Sequence, residues 1–311
     1  MSAPSDTLPE SLELPSNMDD PRRERPADGV LARKQLLPTL IYWGLHALAL
    51  LVIVTPPSSA VLILTAVTFW VRLFAITAGY HRYFAHRAFR TSRVFQFLLA
   101  LVGASATQKG PLWWSGGHRR HHRYSDQPGD MHSPREGFWY SHQGWILDTK
   151  WERTEIENIR DFARFPELVW LNRWHFVPPI ALAIVCTLIA GFPGVLWGYV
   201  FSTVLLWHTT YSINSLAHRW GKQRYETGDD SRNNWFLGLL TMGEGWHNNH
   251  HGFMSSARQG YFWWEIDVTY YALRALALLG IVWDLREVPE GYLYPAENAA
   301  PGLTEPESSP S

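Results

Sequence analysis

The chain has 311 residues, with 27 Lys and Arg against 28 Asp and Glu, a formal net charge of −1 and one cysteine. Balanced charge argues against a polyanionic partner, so nucleic acid is not expected. The single thiol, Cys186, can build neither a disulfide framework nor a cysteine metal site, so any metal must be held by histidine or carboxylate. The chain carries 14 His, beside 17 Trp, 15 Phe and 13 Tyr.

In chain order, Met1 to about Ala27 is polar and proline-rich, lacks the apolar run of a signal peptide and is expected to be disordered to about residue 30. Two apolar runs follow, Leu36–Val54 and Ala60–Ala78, separated by the turn-like Thr55-Pro-Pro-Ser-Ser59. A second pair runs from about Val169 to Ala190 and from Val195 to about Ile213, with the breaker Gly191-Phe-Pro-Gly194 between them. Each is close to the roughly 20 residues that span a bilayer as a helix. The mean hydropathy of −0.16 hides this by averaging them with polar segments. Val94–Ala106 is too short to span and predicts an interfacial or buried helix. Residues 295–311 resemble the N-terminal segment in composition and are expected to be disordered.

These runs predict an all-α integral membrane protein: four transmembrane helices in two hairpins within a domain over residues 31–294. The helical cap is expected mainly from residues 80–168 and 214–294. Neither hairpin loop contains Lys or Arg, whereas Arg22, Arg23, Arg25, Arg33 and Lys34 precede the first span and the central segment is rich in Arg. By the positive-inside rule this multi-pass protein has both termini and the central segment in the cytoplasm.

The histidines then fall on one side of the membrane. His81 and His86 stand at the cytoplasmic end of the second span; His118, His121 and His122 lie in the central segment. His218 follows the fourth span, and His247, His250 and His251 come after it. In each H-x-x-H-H cluster, residues three and four apart share a helical face. Adjacent histidines diverge by about 100°, which suits two neighbouring metals better than one. The five-residue spacing of His81 and His86 puts them far apart on a straight α-helix, so the helix is expected to end or bend between them and to fray. Nine imidazoles exceed what one ion can take. They select a transition metal without naming it, and a pair of ions with room for oxygen is the simplest reading.

From about Leu36 to Glu287 the chain resembles the membrane-bound acyl-CoA desaturases of the stearoyl-CoA 9-desaturase type. Thr77-Ala-Gly-Tyr-His-Arg-Tyr-Phe-Ala-His86 resembles that family's first box, His118-Arg-Arg-His-His122 its second and His247-Asn-Asn-His-His251 its third. Asn214-Ser-Leu-Ala-His218 is similar to its additional ligand element. The resemblance implies a four-span fold with a cytoplasmic cap and two iron ions held by all nine histidines, one of them also by Asn214 through a water. It further implies that O2 and two external electrons convert a long-chain acyl-CoA to its cis-unsaturated product. The sequence contains no cytochrome- or ferredoxin-like segment, so a separate ferredoxin-, rubredoxin- or cytochrome-type donor with its reductase is expected.

Specificity for an unactivated methylene calls for a narrow apolar tunnel, for which Trp113, Trp114, Trp207 and Tyr211 are the candidate walls. The strong alternative is that they are interfacial anchors, a common role of aromatic residues near membrane boundaries. Asp126, Asp130, Glu244 and Asp267 are candidates to orient imidazoles through their free N–H. His46, His132, His142, His175 and His208 match no ligand position. In the resembling eukaryotic members an Arg-Asp pair precedes the second box; here Gly116-Gly117 stands there. Arg119, Arg120 and Arg123, with Arg135 and Lys150, are the candidates to hold the phosphates of coenzyme A, or else rest against anionic membrane lipids. A histidine-box hydroxylase is the main rival within the same chemistry. A metal transporter is a more distant one, since it would need clustered polar ligands at mid-membrane depth.

Overall fold

The computed structural model describes residues 28–293, with side chains from residue 36. The segments 1–30 and 295–311 lie outside the described residues except for residues 28–30, which open the first helix. Three helical stretches are long and apolar enough to cross a membrane: Leu36–Ile53, Ser59–Ala85 and Val177–Ser215. The first belongs to helix α1 (Asp28–Ala49) and the short 3-10 turn after it. The second begins as α2 (Ser59–Phe74), where the Ser58 hydroxyl accepts from the Val61 amide and caps the first turn.

At 27 residues this second stretch is longer than a bilayer core needs, about 40 Å against about 30 Å. Its surplus end carries the first histidine box. The end does not fray: from Ala75 to Ala85 it widens into a π-helix, in which the His86 amide donates to the His81 carbonyl at 3.2 Å. Bonding five residues apart brings His81 and His86 onto the same side. The helix ends at Ala85, between the two histidines as expected, and a change of helical pitch takes the place of a bend.

Helices α3 (Arg93–Ala104), α4 (Pro111–Tyr124), α5 (Phe138–His142), α6 (Arg160–Ala163) and α7 (Pro166–Arg173) follow. The last of these corrects the expected start of the third span, because α7 ends at Arg173 and a new helix, α8 (Val177–Pro193), begins at Val177 rather than Val169. Pro178 and Pro179 explain the restart, since proline lacks an amide donor and fits a helix only in its first turn.

The stretch from Val177 to Ser215 is 39 residues long, and α8 breaks at Ala190 (φ −144°, ψ 25°) and Gly191 (φ 59°, ψ −146°). Beyond the break the chain turns back. A Cβ on Gly194 would lie 2.2 Å from the Cys186 carbonyl oxygen, so the two arms meet through bare glycine backbone. A second π-helical turn, Gly194–Phe201, then leads into α9 (Ser202–Ser215).

These helices are inverted relative to a water-soluble protein. Leu37, Ile53, Ile63, Leu188 and Ile189 point outward, while Arg72, Thr65, Thr68, Ser202 and Thr203 are buried. Arg72 donates to Thr203 Oγ1 (2.7 Å), Ser202 Oγ (2.6 Å) and the Thr68 carbonyl (2.9 Å), joining α2 to α9. Apolar surface of this extent facing outward marks contact with lipid.

After α9 come α10 (Trp235–Leu240), α11 (His247–Gly252), α12 (Val268–Leu278) and α13 (Glu290–Leu293). Antiparallel strands β1 (Arg90–Thr91) and β2 (Val282–Trp283) tie the central and C-terminal segments together. Both segments fold around the C-terminal ends of α2 and α9. Thr77 there meets Thr269 of α12 at 2.8 Å, and a Cβ on Gly103 of α3 would collide with the Tyr80 ring at 2.4 Å.

Candidate metal centre

The nine box histidines converge in two adjoining sets. The donor atoms of His81, His86, His118, His122 and His250 lie within 4.8 Å of one another, and so do those of His121, His218, His247 and His251. Each H-x-x-H-H cluster divides between the sets, as the angle between adjacent helical residues requires: His118 and His122 go one way and His121 the other. His247 and His251 likewise part from His250. The sets abut, with the His122 and His251 rings 4.4 Å apart.

Within the five-histidine set, Nε2 pairs lie at 3.0 Å for His81–His250, His86–His118 and His118–His122, and at 2.9 Å for His122–His250. In the other set, His218 and His247 face each other at 3.0 Å. Four imidazoles spend Nδ1 on carboxylates: His121 on Asp130 (2.9 Å), His218 on Asp126 (2.8 Å), His251 on Asp229 (2.5 Å), and His81 on Glu244. Their Nε2 atoms are then left with lone pairs pointing inward. Ring nitrogens 2.9–3.0 Å apart can share one proton or one cation, and about 3.0 Å is the cis separation of ligands each about 2.1 Å from one ion. The residues present thus fit two transition-metal ions.

Electrostatics agree. Burial and neighbouring imidazoles push His118, His122, His247 and His250 well below the ordinary histidine range, so they are neutral and free to donate lone pairs. Burial opposes the charge of Asp126, Asp130 and Asp229, but the contacts to His218, His121 and His251 hold all three carboxyls below the usual range.

A cavity opens beside both sets. Its walls include Leu73 and Ile76 from α2 and its extension, Tyr211 and Asn214 from α9, and Trp113, Trp114, Met131 and Trp145 from the central segment. Trp207 is absent from this wall. It stacks on Tyr42 at 4.9 Å and donates to the Ala106 carbonyl at 3.0 Å. His132, which matched no box, lines the cavity, its ring 4.3 Å from that of His121.

Of the carboxylates named from sequence, Asp126, Asp130 and Glu244 contact histidines, while Asp267 instead pairs with Arg82. Asp229 was missed, because nothing in its spacing links it to His251. Arg119 forks onto Asp161 at 2.9 Å and Arg120 reaches Glu155 at 3.1 Å, whereas Arg123 is exposed. His46, His208 and His142 form a chain of their own, with contacts of 3.1 and 2.9 Å, that ends on Ser215 Oγ at 2.9 Å.

Against known proteins, the sequence profile of the fatty acid desaturase family matches residues 55–287. A chloroplastic palmitoyl-monogalactosyldiacylglycerol delta-7 desaturase of Arabidopsis thaliana is 41% identical over 217 residues, covering 69% of this chain and 58% of that protein. An acyl-CoA 5-desaturase of Anemone leveillei is 39% identical over 258 residues, covering 79% of this chain and 78% of that one. An sn-2 palmitoyl-lipid 9-desaturase of Nostoc sp. is 38% identical over 248 residues, covering 78% and 87%.

Proposed function

The chain belongs to the fatty acid desaturase family, and from that premise we propose that it is an O2-dependent enzyme placing a cis double bond at the 9-position of a long-chain saturated acyl-CoA. The observation that carries this reading is the pair of inward-facing imidazole sets opening onto an apolar cavity. His81, His86, His118, His122 and His250 would hold one iron; His121, His218, His247 and His251 would hold the other, with Asn214 reaching it through a water. Iron held by these two imidazole sets would supply, with two external electrons, the O2 activation needed to remove hydrogen from neighbouring methylenes. The overall change takes the saturated chain, O2, two electrons and two protons to the cis-alkene and two waters.

The rest is the work of this chain's residues. Trp113, Trp114, Trp145 and Tyr211 enclose the acyl chain, fix which methylenes face the imidazole sets and exclude water. Asp126, Asp130, Asp229 and Glu244 hold the ring orientations. The reversal at Gly191 supports four crossings in two hairpins, and the basic N-terminal flank supports a cytoplasmic cap with cytoplasmic termini. Electrons come from a separate ferredoxin-, rubredoxin- or cytochrome-type protein with its reductase.

A second reading, in which the acyl group is carried on a membrane lipid, is favoured by the engagement of Arg119 and Arg120 with Asp161 and Glu155. Two of the relatives are named for lipid-linked substrates. The test is the purified protein in nanodiscs, with iron and a reducing system, offered stearoyl-CoA or a stearoyl phospholipid, and mass spectrometry locating the double bond. A 9-unsaturated product from stearoyl-CoA supports the first reading, and product from the phospholipid alone supports the second. Hydroxylated product would refute desaturation.

A further inference from the structure

The two imidazole sets differ in the charge built around them. Asp126, Asp130 and Asp229 each accept from one imidazole of the four-histidine set, and their remaining bonds come from neutral donors. Asp130 accepts the Asp126 and His132 amides at 3.0 and 3.2 Å, Asp126 the Asp230 amide at 2.8 Å, and Asp229 the Ser231 amide at 3.0 Å and Thr227 hydroxyl at 2.6 Å. All three are buried, and their ion-pair contacts are to histidines. Three negative charges therefore surround that set.

Among the described residues the five-histidine set is contacted by one carboxylate, Glu244 on His81, and Glu244 is shared with Arg82 at 2.9 Å. Arg82 also pairs with Asp267 at 3.0 Å, so this group of three carries a net single negative charge. The sets are alike in one respect: among the described residues Nδ1 of His250 and, in the four-histidine set, Nδ1 of His247 are both buried without a hydrogen-bond partner.

We infer that the four-histidine site, despite having one imidazole fewer, binds its metal ion first and more tightly than the five-histidine site. The inference rests on the two-metal reading above. A carboxylate accepting Nδ1–H makes the imidazole a stronger donor and places negative charge near the ion. Each such partner changes metal affinity by about 10–100-fold. The four-histidine site has two more of them, while the fifth histidine adds a neutral ligand without charge. The two sites should differ accordingly by about 100-fold or more in affinity.

The experiment uses the full chain in nanodiscs, stripped by chelation and titrated anaerobically with ferrous iron. Mössbauer-active iron at one equivalent per chain should give one dominant quadrupole doublet, and a second should appear only as the next equivalent is added. Chelator competition is then run on His86→Ala, which keeps the four-histidine site, and on His218→Ala, which keeps the other. The His86→Ala protein should hold its ion about 100-fold or more tightly than the His218→Ala protein. Adding Asp130→Asn with Asp229→Asn should remove that advantage, and Glu244→Gln in the His218→Ala protein should cost less.

Two equal doublets at one equivalent overturn the inference, as does tighter binding by His218→Ala. The one-equivalent spectrum shows whether the sites differ, and Asp130→Asn with Asp229→Asn in the otherwise unaltered chain, which leaves all nine imidazoles in place, shows which fills first: a one-equivalent doublet and affinity unchanged by these two substitutions overturn the inference. Saturation of the unaltered chain at a single ion would instead overturn the two-metal reading itself.

Discussion

Replacing Arg82 with methionine should destabilise the protein by about 3 kcal/mol, the low end of what removing one partner from a buried ion pair costs. Arg82 is buried and donates to Glu244 Oε1 at 2.9 Å, to Asp267 Oδ2 at 3.0 Å and to the Ala257 carbonyl at 2.7 Å. Its loss leaves two buried carboxylates without their cation. The cost is kept low because Asp267 still accepts the Gln259 and Tyr270 amides at 2.7 and 3.0 Å, and Glu244 still meets His81 and Gln259.

For a chain of this size about 3 kcal/mol corresponds to a fall of about 6–12 °C in melting temperature, readable by thermal unfolding in nanodiscs. Combining Arg82→Met with Glu244→Gln and Asp267→Asn removes the stranded charges and should recover most of the loss. A single variant as stable as the parent, or a triple variant no better than the single, would refute the account of Arg82 as the counter-charge for this pair.

Gly194→Ala would place a Cβ against the Cys186 carbonyl and force the α8–α9 arms apart; size-exclusion profiles should show aggregation and loss of folded monomer. His208→Leu should leave His46 and His142 without their shared partner, at about 1–3 kcal/mol. Hydrogen exchange in α1 should rise, and unchanged protection would refute the link. Burial pushes the Lys109 amine down to about 8 from 10.5, so the unfolded chain binds the extra proton between those values and stability rises with pH across that window. Lys109→Met should therefore melt higher than the parent at pH 7, and the gap should close by about pH 10.5. A gap independent of pH would count against it.

That the adjacent histidines of an H-x-x-H-H cluster part was legible from helical periodicity, but which of them joins the first histidine was not, since residues three and four apart share a face; the apolar runs were legible because lipid demands length. The restart at Val177 was also within reach, since Pro178-Pro179 can occupy only a first turn, but the apolar Val169–Leu171 masked it. What spacing could not supply were contacts across distant segments. Asp126 reaches His218 across 92 positions, and Asp229 reaches His251 with no periodic relation to it. Trp207 on the last span and Trp114 before the second box carried the same expectation of lining the tunnel. Only the packing of Tyr42 on one and the cavity beside the other separates them.

The widened helix from Ala75 to Ala85 also makes the length of the first box tolerant of change in one direction only. Its five-residue interval suits bonding five residues apart, whereas an interval of four suits an ordinary α-helix. Deleting one residue between His81 and His86 could let the segment tighten to α and still present both imidazoles on one side. Inserting one would create an interval of six, which matches neither pitch, and the second imidazole would swing away from its partners. Shortening should accordingly be survivable here where lengthening is not.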